Sequence, residues 1–444
     1  MHVNCTQTTK SRGVHATQRA KRHGAWRAFP IFAALCLLGL LSACGTTVAR
    51  SQLLAAHPAL APARGPSTLA PSLAAMAHTY LAHMSLEDKL GQLILVELVG
   101  PEYAGDNAVM VEQYHPGGIL VYNREMPTFQ AAHALIAAAQ AHASLPLFTV
   151  VDEEGGFVDR LSDIYGFRPS ASMIGATGSA DFARAQGNQV AKDMAAIGLN
   201  LDLAPDVDVQ LVDGPDQSTR TFGTTPDDVT RLAGAWLDGL QGQGITGCLK
   251  HFPGLGAATS DAHLGLPTIY RTRDQIEQVE LAPYRVLIKT GTIGCVMSTD
   301  LLMPALDANL PAEISPAIIN GVLRQELGYD GVVVTDALYM DGIANLYSLP
   351  QAGVKAIQAG CDFLMGPWTS WQTRDMINAL KAALASGTLS MGRIDQSVLR
   401  LLTLKLRTGI LPHITMRLAV GPVAQSMPIS AHSGSLEADL RRGL

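Results

Sequence analysis

The segment Gly331-Val332-Val333-Val334-Thr335-Asp336-Ala337-Leu338 sets three consecutive valines and a threonine ahead of a single carboxylate. β-Branched residues suit the pleated backbone of a strand. A run this continuous in apolar character fits a strand buried on both faces, as in a parallel sheet covered by helices. Side chains alternate along a strand, so Asp336 points the same way as Val334 and Val332. The segment therefore predicts an apolar strand that carries a carboxylate at its C-terminal end.

Seven further runs of the same kind precede or follow it. They are LILVEL (93–98), GGILVY (117–122), LFTVVDEE (147–154), NLDLAPDV (200–207), GITGCLKH (244–251), IGCVMSTD (293–300) and DFLMGP (362–367). Helical patterning lies between and after them, at Phe182–Ile197, Pro226–Gln241, Asp274–Lys289, Pro350–Ala359, Met376–Ser386 and Ile394–Arg407. Strands alternating with helices imply a parallel sheet. Eight such strands predict an α/β fold of the (β/α)8 TIM-barrel type, with a doubly wound open sheet as the alternative on pattern alone. Polar residues gather at the C-terminal ends of the runs: Asp152-Glu153-Glu154, Asp206, Lys250-His251, Asp300 and Asp336. Barrel active sites are built at that end.

Outside the periodic region the chain changes character. Residues Met1 to Arg27 contain six basic residues and no acidic ones, and an apolar run follows from Ile31 to Ala43. That run is shorter than the roughly 20 apolar residues a membrane-spanning helix needs. A basic flank, a short apolar core and small residues describe a secretory signal. It ends in Leu41-Ser42-Ala43-Cys44-Gly45, which resembles a bacterial lipobox. The expected organisation is a signal peptide over 1–43, lipid on Cys44, an Ala/Pro-rich tether over 44–79, a catalytic barrel over 80–411 and a loosely attached tail over 412–444. Ser85 and Asp88 predict a capping box at the start of the barrel. The location that follows is the outer side of a bacterial membrane, held by the lipid.

Without residues 1–43 the chain keeps 26 basic and 38 acidic residues, a net charge of −12. Such a body argues against nucleic acid as a partner. No phosphate-binding glycine loop, His/Cys metal cluster or dinucleotide fingerprint is present, so neither cofactor nor metal is expected. No protein partner is implied. Cys248, Cys295 and Cys361 lie in or beside apolar runs and read as small buried side chains.

The segment Lys250-His251-Phe252-Pro253-Gly254-Leu255-Gly256-Ala257-Ala258-Thr259-Ser260-Asp261-Ala262-His263 holds the densest chemistry. A strand ends in a basic pair, and a Pro/Gly-rich loop then delivers Asp261 and His263. Neighbouring strand residues face opposite ways, so Lys250 and His251 reach one ligand only if the backbone departs from regularity there.

With this segment, MSLEDKLGQL near the start, VVDEEGGFVDRL at the third strand and GYDGVVVTDALYM at the seventh, the chain resembles glycoside hydrolase family 3. The likeness is to its single-domain bacterial β-N-acetylglucosaminidase branch and runs from about Met84 to Leu411. It implies a retaining hydrolase of terminal β-linked N-acetylglucosamine. Asp336 would be the nucleophile, with His263 and Asp261 as an acid/base dyad. Asp152, Arg160, Arg220, Lys250 and His251 would hold the sugar. Such an enzyme needs a carboxylate below the sugar and an acid above it. A histidine suits the second role, with an unperturbed pKa of about 6.5. On this reading Lys250, Arg160 and Arg220 would help keep Asp336 ionised, and Glu153 and Glu154 have no assigned chemistry.

The sequence departs from the family pattern at Phe157, Leu255, Ala262 and Ala337. These departures bear on the fine structure of the substrate. Two other readings remain: a phosphorylase of the same family, and a lipid-tethered sugar-binding protein without catalysis.

Overall fold

The computed structural model describes residues 70–413 apart from residue 216. Cys44, the signal segment, residues 44–69 of the expected tether and the tail beyond residue 413 lie outside the described residues.

All eight expected strand runs form strands, and they close into one barrel. These are β1 (Ile94–Glu97), β2 (Gly118–Leu120), β3 (Phe148–Val151) and β4 (Leu201–Asp202). They continue as β5 (Thr246–Phe252), β6 (Cys295–Ser298), β7 (Val332–Ala337) and β8 (Phe363–Met365). Every neighbouring pair is parallel, and β8 closes on β1 through Ile94 with Leu364 and Leu95 with Met365. The fold is therefore the barrel and not the open sheet. Each strand is buried almost throughout, because helices cover the outside while side chains fill the inside.

The N-terminal end of the barrel is plugged by Phe148 against Phe363, with ring centroids 5.9 Å apart. The Lys405 ammonium lies 5.2 Å from the Phe148 ring centroid and donates to Gln92 Oε1 at 2.8 Å. Outside the barrel, Ala180–Ile197 and Pro226–Gln241 pack backbone to backbone. A methyl group at Gly187 would fall 2.0 Å from the Trp236 carbonyl oxygen, so only glycine permits the approach.

Local structure departs from the sequence reading in two places. A helix, Ala70–Ala82, begins inside the stretch expected as a tether, and its Ala77 and Leu81 are buried. An Ala/Leu-rich segment with little charge suits a packed helix as well as a linker. The single helix expected over Asp274–Lys289 is two, Arg273–Gln278 and Ala282–Ile288. Pro283 lacks an amide hydrogen and sits at the start of the second helix, where none is needed. The capping box at Ser85 and Asp88 forms as expected. Cys248, Cys295 and Cys361 are buried and unbridged.

Candidate active site

A cavity of about 1110 Å³ opens at the C-terminal ends of the strands. Asp336, His263, Asp152, Arg160, Arg220, Lys250 and His251 all line it. Residues from sites far apart in the chain are brought together because barrel closure collects the strand ends on one rim. Asp261 stands one step back and accepts from His263, with Nδ1 to Oδ1 at 2.8 Å.

Asp336 lies near the end of β7. Its Oδ2 accepts from the Thr299 hydroxyl at 2.7 Å and its Oδ1 from the Ala337 amide at 2.9 Å. Two donors aimed at one carboxylate hold its orientation. Two of the positive charges expected around Asp336, Lys250 and Arg220, form ion pairs with other carboxylates. Lys250 Nζ reaches Asp152 Oδ1 and Glu154 Oε1, both at 2.6 Å. Arg220 grips Glu154 with two bonds of 2.8 Å. Burial opposes ionisation of Glu154, but Arg220 and then Lys250 outweigh it and hold the carboxyl well below its usual range. Glu154, which had no assigned role, is thus the anion that fixes both cations. Burial also works against the charge of Lys250, yet Asp152 and Glu154 push its pKa up.

Arg220 Nη2 lies 3.1 Å from His251 Nε2. A guanidinium can only donate, so Nε2 accepts and the imidazole proton sits on Nδ1. Nδ1 donates to Asp208 Oδ2 at 2.8 Å. Burial, and next the Arg220 charge, lower the His251 pKa, which favours this neutral form. The Lys250–His251 peptide bond is cis, and both side chains line the cavity.

Asp208 organises the start of the dyad loop. Its Oδ1 accepts from the Leu255 amide at 2.7 Å, and burial pushes its pKa up to about 6. Asp206, Asp208 and His251 form the one group of metal-ligand composition among the described residues. In it Asp208 already takes the His251 ring proton and the Leu255 amide.

A two-stranded hairpin, Glu153–Gly155 with Val158–Asp159, rises beside the mouth. Its base is held by Glu153, which accepts from the Leu161 amide and pairs with Arg168. Phe157, at its tip, is 84% exposed and belongs to the cavity rim. Arg160 lies 5.4 Å from the Tyr122 ring centroid.

Sequence reasoning missed Thr299, Asp208, Glu154 and the aromatic residues Tyr122, Tyr339 and Trp368. Thr299 directly follows β6 and Asp208 lies in the segment after β4, which is a positional signal, but their roles depend on partners from other strands.

Charged groups of both signs, set in a largely buried cavity at the C-terminal ends of a parallel barrel, are the layout of a barrel enzyme. Residues 85–404 match the description "Glycosyl hydrolase family 3 N terminal domain", and the chain belongs to that family. It is 38% identical over 340 residues to the beta-hexosaminidase LpqI of Mycobacterium tuberculosis, covering 73% of this chain and 84% of that protein. It is 31% identical to beta-hexosaminidase A of Pseudoalteromonas piscicida, covering 70% of this chain and 56% of that one. Among solved structures, it is similar to a family 3 β-N-acetylglucosaminidase from a Paenibacillus species, with a TM-score of 0.72 at 34% identity. That match covers 79% of this chain and 65% of the other.

Proposed function

We propose that the chain is a retaining β-N-acetylhexosaminidase that releases terminal β-linked N-acetylglucosamine. The observation that carries this reading is the placement of Asp336 and His263 in one cavity, each held by its own partner, Thr299 and Asp261. In the first step an Asp336 oxygen bonds to the anomeric carbon as the glycosidic carbon–oxygen bond breaks. His263 passes a proton to the departing oxygen. In the second step His263 takes a proton from water, whose oxygen attacks the anomeric carbon and frees Asp336. Asp261 orients the imidazole for both transfers, as the buried aspartate does in serine proteases. Lys250, Arg220, Asp152, Arg160 and His251 hold the sugar hydroxyls. The likeness to beta-hexosaminidases supports the substrate class.

The test is Asp336→Asn, expected to abolish hydrolysis of aryl β-N-acetylglucosaminides while leaving sugar binding. A fluorinated substrate that traps the glycosyl-enzyme should label Asp336. A label mapped to another carboxylate would overturn the assignment.

We also propose that the protein is exported and carries lipid on Cys44. Cys44→Ser should then leave the protein unprocessed or release it from the membrane fraction. Unchanged fractionation and migration would count against the anchor.

A further inference from the structure

Two carboxyl groups behind the active site have no place in the chemistry above. Asp300 directly follows Thr299 after β6, and Glu313 lies in the short turn Ala312–Ile314. Both are wholly buried, and as carboxylates none of their four oxygens has a hydrogen-bond partner. Yet the two groups face each other within hydrogen-bonding reach. A carboxylate only accepts, so this contact is a bond only when one of the two carries a proton. The charged groups that act most on the pair are the two carboxyls themselves and Asp336, with the Cys361 thiol beside Glu313. No cation is among them, and two buried anions in contact without one do not both stay ionised.

Asp300 also touches the loop after β7. A methyl group on Gly342 would lie 2.6 Å from Asp300 Cβ and 2.7 Å from its Oδ2, so this side chain rests against the glycine backbone. The Ile343 amide, in the short helix Asp341–Ala344, faces the same carboxyl. The Gly342 amide in turn donates to the carbonyl of Ala262, which stands between Asp261 and His263.

We propose that Asp300 and Glu313 form a protonated carboxyl pair that positions the loop after β7 and, through Ala262, the acid His263. The proposal rests on the reading of His263 as the acid. Neither member lines the cavity, so the pair acts through other residues and not on substrate. Glu313 fixes Asp300 through the shared proton, and Asp300 fixes the backbone at Gly342 and Ile343. Burial is the largest influence on both groups. It pushes Asp300 up to about 8 and Glu313 well above its usual range. The Glu313 bond and the Ile343 amide oppose the rise of Asp300, while Asp336 adds to it.

The experiment compares the full-length wild type, Glu313→Gln and Glu313→Leu, each first shown to melt cooperatively. Glutamine keeps a neutral donor toward Asp300, and leucine does not. kcat/KM is measured for an activated aryl β-N-acetylglucosaminide and for a disaccharide. Glu313→Leu should lose about tenfold on the disaccharide, the worth of one hydrogen bond, and little on the aryl substrate. Glu313→Gln should keep most of both activities. A loss of stability alone would not separate the two substrates. Equal losses on both, or a glutamine variant as poor as the leucine one, would overturn the proposal. Melting temperatures from about pH 5 to about pH 8.5 test the proton itself. The folded pair holds a proton that an unfolded carboxyl releases near pH 4, so its contribution to stability falls as pH rises toward the raised value. Glu313→Gln should therefore gain on the wild type across that range. A difference independent of pH would overturn the protonated pair. If His263→Ala shows no leaving-group dependence, the acid reading fails and the positioning of His263 with it. A gain of Glu313→Gln with pH would then still support the protonated pair.

Discussion

The amide of Gly342 donates to the carbonyl of Ala262 at 3.2 Å, tying the loop after β7 to the middle residue of the Asp261–His263 dyad. The segment after β7, which carries the proposed nucleophile, and the loop of the proposed acid are thereby joined directly by backbone, although 80 residues separate the two positions in the chain. Gly342 also packs on Asp300 so closely that a methyl group there would lie 2.6 Å from Asp300 Cβ. Gly342→Ala should shift this contact and misplace His263 relative to Asp336. The expected result is a kcat/KM loss larger for sugar leaving groups than for activated aryl ones, measured with one substrate of each type. Equal losses would locate the damage in Asp336 or in sugar binding.

The dyad itself predicts a leaving-group signature. General acid help is worth roughly 10²–10⁴-fold and matters most when the departing oxygen is poor. His263→Ala should hardly slow glycosyl-enzyme formation from an activated aryl glycoside and strongly slow it from a disaccharide. Asp261→Asn should show the same pattern more mildly, because the 2.8 Å bond to Nδ1 orients the ring without reaching the substrate. Pre-steady-state release of the aryl group against disaccharide turnover separates the cases.

Thr299 contributes through its 2.7 Å bond to Asp336. Hydrogen bonds to a charged group contribute about 1.5–3 kcal/mol. Thr299→Val removes the donor with little change of shape and should lower kcat/KM at least about tenfold. Thr299→Ser keeps the hydroxyl and should recover most of the activity. Loss of activity in both variants alike would point to packing of the methyl group instead.

Glu154 is the shared anion of Lys250 and Arg220, and its side chain is 3% exposed. Removing one member of a buried ion pair costs about 3–5 kcal/mol, because the remaining charge is left uncompensated. Glu154→Gln should therefore lower the melting temperature and raise KM together, as both cations lose their anchor. Asp152 still faces Lys250 and moderates the effect. Thermal melts and substrate titrations of the same preparation check the two consequences.

Lys405 lies wholly buried at the opposite end of the barrel, where burial lowers its pKa to about 7. Its folded value lies below the unfolded one, so the unfolded chain holds more protons between about pH 7 and about pH 10.5. Stability from this group therefore rises with pH across that window, and below it the folded protein carries a buried ammonium. Lys405→Met should raise the melting temperature most at or below about pH 7, and the gain should shrink toward about pH 10. A gain that did not vary with pH would assign the effect to packing.

The β-branched runs, the glycine and proline punctuation, and the polar residues at strand ends were enough to read eight strands and a barrel. These are local features, since side-chain alternation and burial on both faces leave their mark on consecutive residues. Asp336, Asp152, Lys250 and His251 could be named as candidates because they sit at or beside strand ends, and His263, Arg160 and Arg220 because they belong to short motifs in the loops that follow. The partners of these groups were not legible. Lys250 and Arg220 were expected to serve Asp336, yet Lys250 pairs 98 residues away with Asp152, and Arg220 pairs 66 residues away with Glu154. Thr299 meets Asp336 across 37 residues, and Glu97 meets Tyr339 from the first strand to the loop after the seventh. Closure of the barrel sets those distances, and the balance of burial against the charges brought close then decides which carboxyls stay charged. Both depend on where every strand end falls around the rim, which no single stretch of sequence encodes.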